Sequence, residues 1–293
     1  MTRRWLVTGC SSGLGYALAE EVARSGDRVV ATTRRPGALA PLLEEFPGRI
    51  TEALVDVTDA EQCRAVVELA VERLGGLDVL VNNAGSGLFG AVEEVSDDEL
   101  RAQLELLVVA PWRLTREVLP LMRAQGGGHV VNVSSLAGRT SFPGLAAYSA
   151  GKYALEGMSQ ALATEAAAFG VRVTVLEPGG FATRYGTSMR QAAAGVPAYG
   201  SVVGPMLDSL RGMERNDELN RPEDFAALVR RLVATSGTPL RLPVGEDAFG
   251  YLDVLEAAAA TELADAKAFV RYPGEPRPAA LAHTRADAAP EPV

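Results

Sequence analysis

Short apolar runs alternate with amphipathic stretches at regular spacing along the first part of the chain. The runs RWLVT, DRVVATT, LDVLVNN, HVVNVSS and VRVTVLEP have the length of strands and carry few charged residues. Strands that are apolar along their whole length are buried on both faces, which is typical of parallel sheets covered by helices. Because crossovers between parallel strands are right-handed, the alternation predicts an α/β fold with a doubly wound parallel sheet and helices on both faces.

We expect a single domain over residues 1–271. Residues 184–220 break the rhythm with five glycines and are predicted to form a mobile lid over the substrate, at the carboxyl edge of the sheet. A helix over 221–234 and a last strand over 240–245 follow. Residues 272–293 are rich in Pro and Ala and are predicted to form a disordered tail.

Composition excludes several functional classes. The formal net charge of −9 argues against a nucleic-acid partner, because phosphate-backbone binding depends on clustered Lys and Arg. Two cysteines (Cys10, Cys63) and two histidines (His129, His283) are too few for a disulfide framework or a metal cluster, so no metal is expected. The apolar stretch after Arg4 is too short for a secretion signal or a membrane span, so we expect a cytoplasmic protein without a membrane partner.

The segment TGCSSGLG, residues 8–15, lies between the first strand and the first helix. Glycines there allow a tight turn and a close approach to a pyrophosphate, which the free N–H groups of the helix N-terminus bind. The position of the motif directly after the first strand favours a dinucleotide site over a glycine-rich turn without a ligand.

The second strand ends in Thr32-Thr33-Arg34-Arg35, about 20 residues after the glycines. An NAD site has Asp or Glu in this neighbourhood to bind the ribose 2′-hydroxyl, and this chain has two guanidinium groups instead. Arg can donate two parallel hydrogen bonds to a 2′-phosphate. The sequence therefore favours NADP(H) over NAD(H), with a solvated basic loop as the alternative.

Polar residues also end the third and fourth strands. Asp56, followed by Val57, can bind an adenine amine, or it can cap a turn. Asn82-Asn83-Ala84-Gly85 brings the backbone close either to a cofactor or to the neighbouring strand.

Tyr148 and Lys152 lie four residues apart, and therefore on one face of a predicted helix. An ammonium group near a phenol stabilises the phenolate and lowers its pKa. Ser134 and Ser135 end the preceding apolar strand, at the edge where ligands bind in open sheets. These residues together indicate an acid/base site rather than an ordinary helix surface.

Taken together, these motifs resemble the short-chain dehydrogenase/reductase family. The resemblance is carried by TGCSSGLG, the DV pair, NNAG, VNVSS, YSAGK and EPGGFAT, in that family's order and spacing. It covers residues 4–184 and extends weakly to about 245. It implies a Rossmann-type fold and an NADP(H)-dependent oxidoreductase that transfers a hydride between nicotinamide and a carbonyl or secondary alcohol.

The resemblance also implies residue roles. Tyr148 is expected to be the general acid/base, Ser135 to hydrogen-bond the reacting oxygen, and Lys152 to bind the nicotinamide ribose and lower the pKa of Tyr148. The expected cofactor-binding residues are Gly9, Ser11, Ser12, Gly13, Leu14, Gly15, Arg34, Asp56, Val57, Asn83, Ala84, Gly85, Tyr148, Lys152, Pro178, Gly179, Phe181 and Thr183. The expected substrate-binding residues are Ser135, Leu136, Phe142 and Tyr148, with Leu88 and Phe89 as further neighbours.

One position departs from the family's pattern. Most members have an Asn in the long helix before VNVSS, where it supports a water that passes protons toward the lysine; this chain has Leu107. Three functions therefore stay open: carbonyl reduction or its reverse, a non-redox elimination, cyclisation or isomerisation with Tyr148 as base, and NADP(H) binding without catalysis. The intact set of Ser135, Tyr148 and Lys152 favours an enzyme.

The expected partners are a small hydrophobic substrate and further copies of this chain. Glycines and methionines in the lid indicate an adaptable apolar pocket wall. The resemblance implies a homodimer or homotetramer formed through the helices at about 101–123 and 147–169, although the apolar residues Leu106, Val109 and Trp112 also fit burial within one chain.

Overall fold

A computed structural model describes residues 2–216 and 218–271, so the tail predicted at 272–293 lies outside the described residues. The chain divides into two compact units, Met1–Ala248 and a second that begins at Phe249. The boundary falls inside the last helix, and the domain expected over 1–271 stays a prediction.

The first unit contains a seven-stranded sheet in the order β3-β2-β1-β4-β6-β7-β9, with every neighbouring pair parallel. Its strands are β1 Arg4–Val7, β2 Arg28–Thr33, β3 Ile50–Leu54, β4 Val79–Asn82, β6 Gly128–Val133, β7 Val171–Pro178 and β9 Arg241–Val244. Strand order reverses between β1 and β4, which confirms the predicted doubly wound sheet and places the ligand edge at their carboxyl ends.

Helices cover both faces of this sheet. The helices of the described residues are α1 Gly13–Arg24, α2 Ala40–Glu45, α3 Ala60–Leu74, α4 Asp97–Leu104, α5 Ala110–Gln125, α6 Ala146–Ala167, α7 Tyr185–Ser188, α8 Gly200–Gly212, α9 Pro222–Ala234 and α10 Glu246–Arg271. Of these, α1, α2 and α9 pack on one face of the sheet, and α3, α5 and α6 pack on the other. None of the helices in the described part of the chain is long and apolar enough to cross a membrane.

The alternation of side chains along β1 shows how the two faces are filled. Trp5 and Val7 join a core with α1 and α9, whereas Leu6 joins a second core with α3, α5 and α6. Trp5 is fully buried, and its indole nitrogen donates to Asp27 (3.0 Å). Both faces of the strand are therefore apolar, as a central parallel strand requires.

The helix predicted from Ser96 onward starts as expected but is interrupted. Ser96 and Glu99 form a capping box at the start of α4. A π-helical segment, Glu105–Val109, then separates α4 from α5. Leu107 lies within this segment and is fully buried. It packs against Gly151 of α6, because a Cβ added to Gly151 would lie 2.9 Å from a methyl carbon of Leu107. Such bulges are frequent at functional sites.

The segment predicted as a lid, residues 184–220, has regular structure. It contains α7, strand β8 (Arg190–Gln191) and α8. Strand β8 pairs in parallel with β5 (Leu88–Phe89), so the segment is joined to the chain that follows β4. The five glycines obscured α8 in the sequence. Mobility of the segment stays a prediction.

Candidate active site

The glycine loop between β1 and α1 depends on backbone that only glycine provides. Gly9 and Gly13 have φ angles of 74° and 60°, in the left-handed region. A Cβ on Gly9 would lie 2.7 Å from the Cα of Ala84. A Cβ on Gly15 would overlap the carbonyl oxygen of Gly9 and lie 2.5 Å from Asn83 Nδ2. The loop is therefore packed directly against the segment that follows β4.

Hydrogen bonds join the same two segments. Asn83 Nδ2 donates to the carbonyl oxygens of Thr8 (2.9 Å) and Gly9 (3.2 Å). The backbone N–H groups of Asn83 and Ala84 both donate to Thr8 Oγ1, each at 3.0 Å. In this structure the Asn83 amide thus braces the glycine loop, which is the neighbouring-strand alternative that the sequence left open.

A cavity of about 380 Å³ opens at the N-terminus of α1. The helix begins after Ser12, whose side chain makes no capping hydrogen bond, so its first N–H groups stay available. The cavity is lined by Ser11, Ser12, Gly13, Tyr16, Ala17, Glu20, Ala182, Thr183, Arg184, Glu214, Pro222 and Glu223. The glycines leave open a concave surface that larger side chains would occupy, and the N-terminal N–H groups of α1 are not capped by Ser12. Both features fit the pyrophosphate of a dinucleotide.

Further predicted cofactor residues follow the ends of β2 and β3. Arg34 is exposed beyond Thr33, the last residue of β2. Asp56 Oδ1 accepts hydrogen bonds from the N–H (3.0 Å) and hydroxyl (2.7 Å) of Thr58, which lower the pKa of Asp56, and Arg34 lowers it further. Asp56 therefore forms a turn in this structure, while its carboxylate lies within electrostatic range of Arg34.

The structure brings Ser135, Tyr148 and Lys152 to one place. Ser135 follows β6, and its Oγ accepts a hydrogen bond from the N–H of Ala137 (3.1 Å). Tyr148 and Lys152 are both buried in the first turns of α6. The Lys152 ammonium lies 5.6 Å from the centre of the Tyr148 ring and donates to the carbonyl oxygen of Val133 (2.7 Å).

Ser134 and Ser135 point to different surroundings. Ser135 interacts with the Tyr148 phenol. Ser134 Oγ lies near Gly138 and Glu156, which is one helical turn beyond Lys152 on α6: a Cβ on Gly138 would lie 2.6 Å from Ser134 Oγ and 3.0 Å from Glu156 Cγ. Only Ser135 is placed to share an oxygen with Tyr148.

Burial controls the charge of both groups on α6. Burial raises the pKa of Tyr148, and the nearby hydroxyl groups of Tyr185 and Ser135 only partly oppose that rise. The sequence predicted that Lys152 lowers the pKa of Tyr148; the net shift in this structure is upward, and the contribution of Lys152 stays a prediction. Burial lowers the pKa of Lys152 to about 8, while the negative charge of Glu156 partly opposes that shift. Near neutral pH the site therefore holds a protonated phenol beside a lysine close to its titration point.

The lowered pKa of Lys152 leads to a prediction about the pH dependence of folding stability. An amine whose pKa is lower in the folded than in the unfolded chain destabilises the fold at pH 7, here by about 3 kcal/mol, and this cost disappears as the pH rises from 8 to above 10. We expect Lys152→Met to raise Tm at pH 7, with a smaller gain at pH 10. Thermal denaturation at both pH values measures this. Lys267→Met, which replaces an exposed lysine, is the control; an unchanged or lowered stability of Lys152→Met at pH 7 would contradict the prediction.

Two buried carboxylates and two arginines lie beyond Lys152. Glu177 of β7 is fully buried and accepts from Arg139 Nη1 (3.1 Å). Arg241 of β9 donates to Glu156 Oε2 (3.0 Å), and its Nε lies 3.6 Å from Glu177. Burial raises the pKa of Glu177, while Arg139 opposes that rise. Breaking a buried ion pair strongly destabilises a fold, because one charge is left buried without a partner. These ion pairs therefore fix β7, β9 and α6 relative to one another behind Lys152.

The loop after β7, which holds Pro178, Gly179, Phe181 and Thr183, is fastened by residues that sequence analysis missed. Asp247, near the start of α10, accepts from the N–H of Gly180 (2.6 Å). Asn220 donates to the carbonyl oxygen of Gly180 and to Asp247, each at 2.7 Å. Both residues belong to the first unit. No local sequence pattern marks either residue, because the contact joins positions far apart in the chain.

An apolar cluster includes Tyr148. Its buried members are Phe89, Leu107, Ala137, Leu145, Tyr148 and Met189, and Leu106, Val108, Phe142, Tyr185, Val203, Met206, Leu207 and Leu210 pack against it. Leu88 and Leu136, predicted neighbours of the substrate, are buried as well. The predicted substrate residues thus adjoin the lid segment, and Tyr185 is the polar member that sequence analysis did not single out.

Comparisons with known proteins agree with this geometry. A family model described as short chain dehydrogenase matches residues 3–194. The chain is 40% identical over 252 residues to oxidoreductase BOA17 of Botryotinia fuckeliana, covering 86% of this chain and 92% of that protein. It is 33% identical over 241 residues to the 3-ketodihydrosphingosine reductase of Bacteroides thetaiotaomicron, covering 82% and 87%.

Solved structures show the same likeness. The crystal structure of a short-chain dehydrogenase from Streptomyces avermitilis matches with a TM-score of 0.83 and 41% identity, covering 92% of this chain and 98% of that one. Other solved neighbours of this fold hold NAD or NADP.

Proposed function

The chain belongs to the short-chain dehydrogenase/reductase family and is an oxidoreductase of that family; on this premise we propose that it reduces a carbonyl group with NADPH, Tyr148 being the acid. The observation that carries the proposal is the buried phenol of Tyr148, which lies beside Ser135 and has the Lys152 ammonium 5.6 Å from its ring centre. Bound NADP(H) supplies or accepts the hydride, and the protein supplies position and proton transfer.

Each residue of the set has a distinct part in this reaction. Ser135 hydrogen-bonds the substrate oxygen and holds it against Tyr148. Tyr148 gives its proton to that oxygen as the carbonyl carbon is reduced, leaving a phenolate. Lys152, positively charged below its pKa of about 8, stabilises that negative charge. A proton from solvent restores the phenol afterwards.

The raised pKa of Tyr148 favours reduction near neutral pH. A general acid must hold its proton at the working pH, and burial keeps the phenol protonated there. Oxidation needs the phenolate as base, so the reverse reaction is expected to gain as the pH rises.

The function is tested by mixing purified protein with NADPH and a panel of ketones and following both NADPH absorbance and product. NADPH consumption that matches alcohol formation supports the proposal. Product without NADPH consumption would instead indicate a non-redox reaction, and tight NADPH binding without turnover on any ketone would indicate a binding protein.

Arg34 at the end of β2 carries the proposed preference for NADP(H). We expect Arg34→Ala to lower kcat/KM for NADPH about 10- to 100-fold, because charge-assisted hydrogen bonds to the 2′-phosphate are lost, and to leave kcat/KM for NADH nearly unchanged. Steady-state kinetics with both cofactors measure this. Arg64→Ala, which removes an exposed guanidinium on α3, is the control. Equal losses with both cofactors would contradict the assignment.

The proposal also includes the class of substrate and the oligomeric state. The apolar cluster around Tyr148 favours a hydrophobic carbonyl compound as substrate.

Three large side chains are exposed on the outer surfaces of the π segment, α5 and α6: Val109, Trp112 and Tyr153. They support an assembly of two or four copies through these helices, because a monomer gains nothing from exposing them together.

A further inference from the structure

A second phenol lies beside Tyr148. Tyr185 is the first residue of α7, and its ring centre lies 5.7 Å from that of Tyr148, with the two planes tilted by 55°. The Tyr185 oxygen is buried, and no group among the described residues meets it in full hydrogen-bond geometry, although the Tyr148 oxygen is near enough for each phenol to shift the pKa of the other. A buried hydroxyl without a partner is costly, so its retention calls for an explanation.

The backbone holds this phenol in place. A Cβ on Gly87 would lie 2.5 Å from the Tyr185 oxygen, so the phenol rests directly on the chain before β5. The N–H of Tyr185 donates to Thr183 Oγ1 (3.3 Å). A Cβ on Gly186 would overlap the carbonyl oxygen of Leu210 at the end of α8, so α7 and α8 touch through their backbones. Tyr185 is thus positioned by contacts on both sides of the pocket.

The surroundings leave few partners for the Tyr185 oxygen. Phe89, Leu107 and Met189 pack in the same cluster, and none of them has a strong hydrogen-bonding group. Leu107 offers only apolar carbon atoms. Among the cluster's residues in the described chain, the Tyr148 phenol is the polar group that Tyr185 faces.

We propose that Tyr185 is a positioning residue that donates a hydrogen bond to the Tyr148 oxygen while that oxygen is a phenolate. The inference rests on the proposed function, because the phenolate arises when Tyr148 gives its proton to the substrate oxygen. Tyr185 keeps its own proton throughout, and the proton that restores Tyr148 comes from solvent.

The pKa shifts of the two phenols support Tyr185 as the hydrogen-bond donor and Tyr148 as the group that loses its proton. Burial raises the pKa of Tyr185 well above its usual value, and the nearby Tyr148 raises it further. The same contact opposes the rise at Tyr148. Tyr148 therefore loses its proton before Tyr185 does, which makes Tyr185 the donor.

Other groups that face Tyr148 must be held constant in any test. Lys152 and, behind it, Glu156 act from α6 itself. Ser135 acts from the turn after β6. The π segment and β5 contribute Leu107 and Phe89, which do not titrate.

The test compares the wild type with Tyr185→Phe, which keeps the ring and removes the donor. The first readout is the pH dependence of kcat/KM for ketone reduction. The second is the ultraviolet absorbance of tyrosinate during a pH titration, with Tyr148→Phe used to identify the signal of Tyr148. The second readout needs no turnover, so it separates this inference from the proposed function.

We expect Tyr185→Phe to raise the midpoint assigned to Tyr148 by about one pH unit in both readouts, since a donor to a charged oxygen is lost. Gly87→Ala, which displaces the phenol without deleting it, should move the midpoint in the same direction. Tyr199→Phe is the matched control: it removes another phenol of the lid segment, one bonded to Glu93 (2.9 Å), and should leave the midpoint in place.

A titration midpoint for Tyr148 that is unchanged in folded Tyr185→Phe would overturn the inference, as would a rise in KM alone with the same pH profile. If the wild type turns over no ketone but the absorbance midpoint moves, the proposed function fails while the contact between the two phenols stands.

Discussion

Replacing Tyr148 with phenylalanine is expected to lower kcat for ketone reduction about 1,000-fold, the usual contribution of a positioned general acid. The ring remains, so the apolar cluster around it keeps its packing, and only the proton donor is lost. NADPH affinity should change by less than about 3-fold, because the phenol oxygen makes few of the contacts that hold a dinucleotide. Single-turnover kinetics and fluorescence titration with NADPH measure the two quantities separately.

The matched control for this variant is Tyr153→Phe. Tyr153 lies on the same helix, five residues after Tyr148, and is half exposed. It should keep nearly the wild-type rate. A Tyr148→Phe variant with wild-type kcat would contradict the assignment of Tyr148 as the acid. If Tyr148 instead serves a non-redox reaction, Tyr148→Phe would lose product formation, and NADPH consumption would be at background in both the wild type and the variant.

Replacing Gly15 with alanine is expected to destabilise the protein by about 3 kcal/mol, or roughly 10 °C in Tm. The added methyl group would collide with the Gly9 carbonyl and with Asn83 Nδ2, both of which belong to the braced glycine loop. Neither can move without breaking the hydrogen bonds from Asn83 to Thr8 and Gly9. NADPH binding should fall with stability, because the same loop forms the cradle. Thermal denaturation with and without NADPH measures both effects.

Gly157→Ala provides a control of the opposite sign. Gly157 lies inside α6 with open space around its Cα, and alanine is a better helix former. This variant should gain about 0.5–1 kcal/mol. If both glycine variants lost similar stability, the effect would reflect glycine replacement in general and not the crowding at Gly15.

The sequence was sufficient to predict the fold because its signals are local. The glycine loop, the apolar strands and the pair Tyr148–Lys152 are each contained in a few neighbouring residues, and the structure places them at one edge of the sheet. The spacing from Ser135 to Tyr148 was also readable, and the structure separates Ser135 from Ser134, which faces Glu156.

The features that the sequence did not reveal depend on long-range contacts or on competing energies. The π segment around Leu107 forms where two helices meet at Gly151, which no propensity within α5 indicates. Tyr185 lies in a glycine-rich stretch that predicted only a lid. The pKa of Tyr148 depends on the balance between burial and nearby charge; Lys152 was visible in the sequence, but the degree of burial was not.

The fastening of the loop after β7 has a consequence for biosynthesis. Gly180 and its acceptor Asp247 are 67 residues apart, and strand β9 joins the sheet immediately before Asp247. On the ribosome, the glycine loop and the α6 residues emerge long before the carboxylate that secures this loop. A nascent chain can therefore assemble most of its sheet without a finished catalytic pocket, and catalytic competence arrives late, with the docking of the last strand.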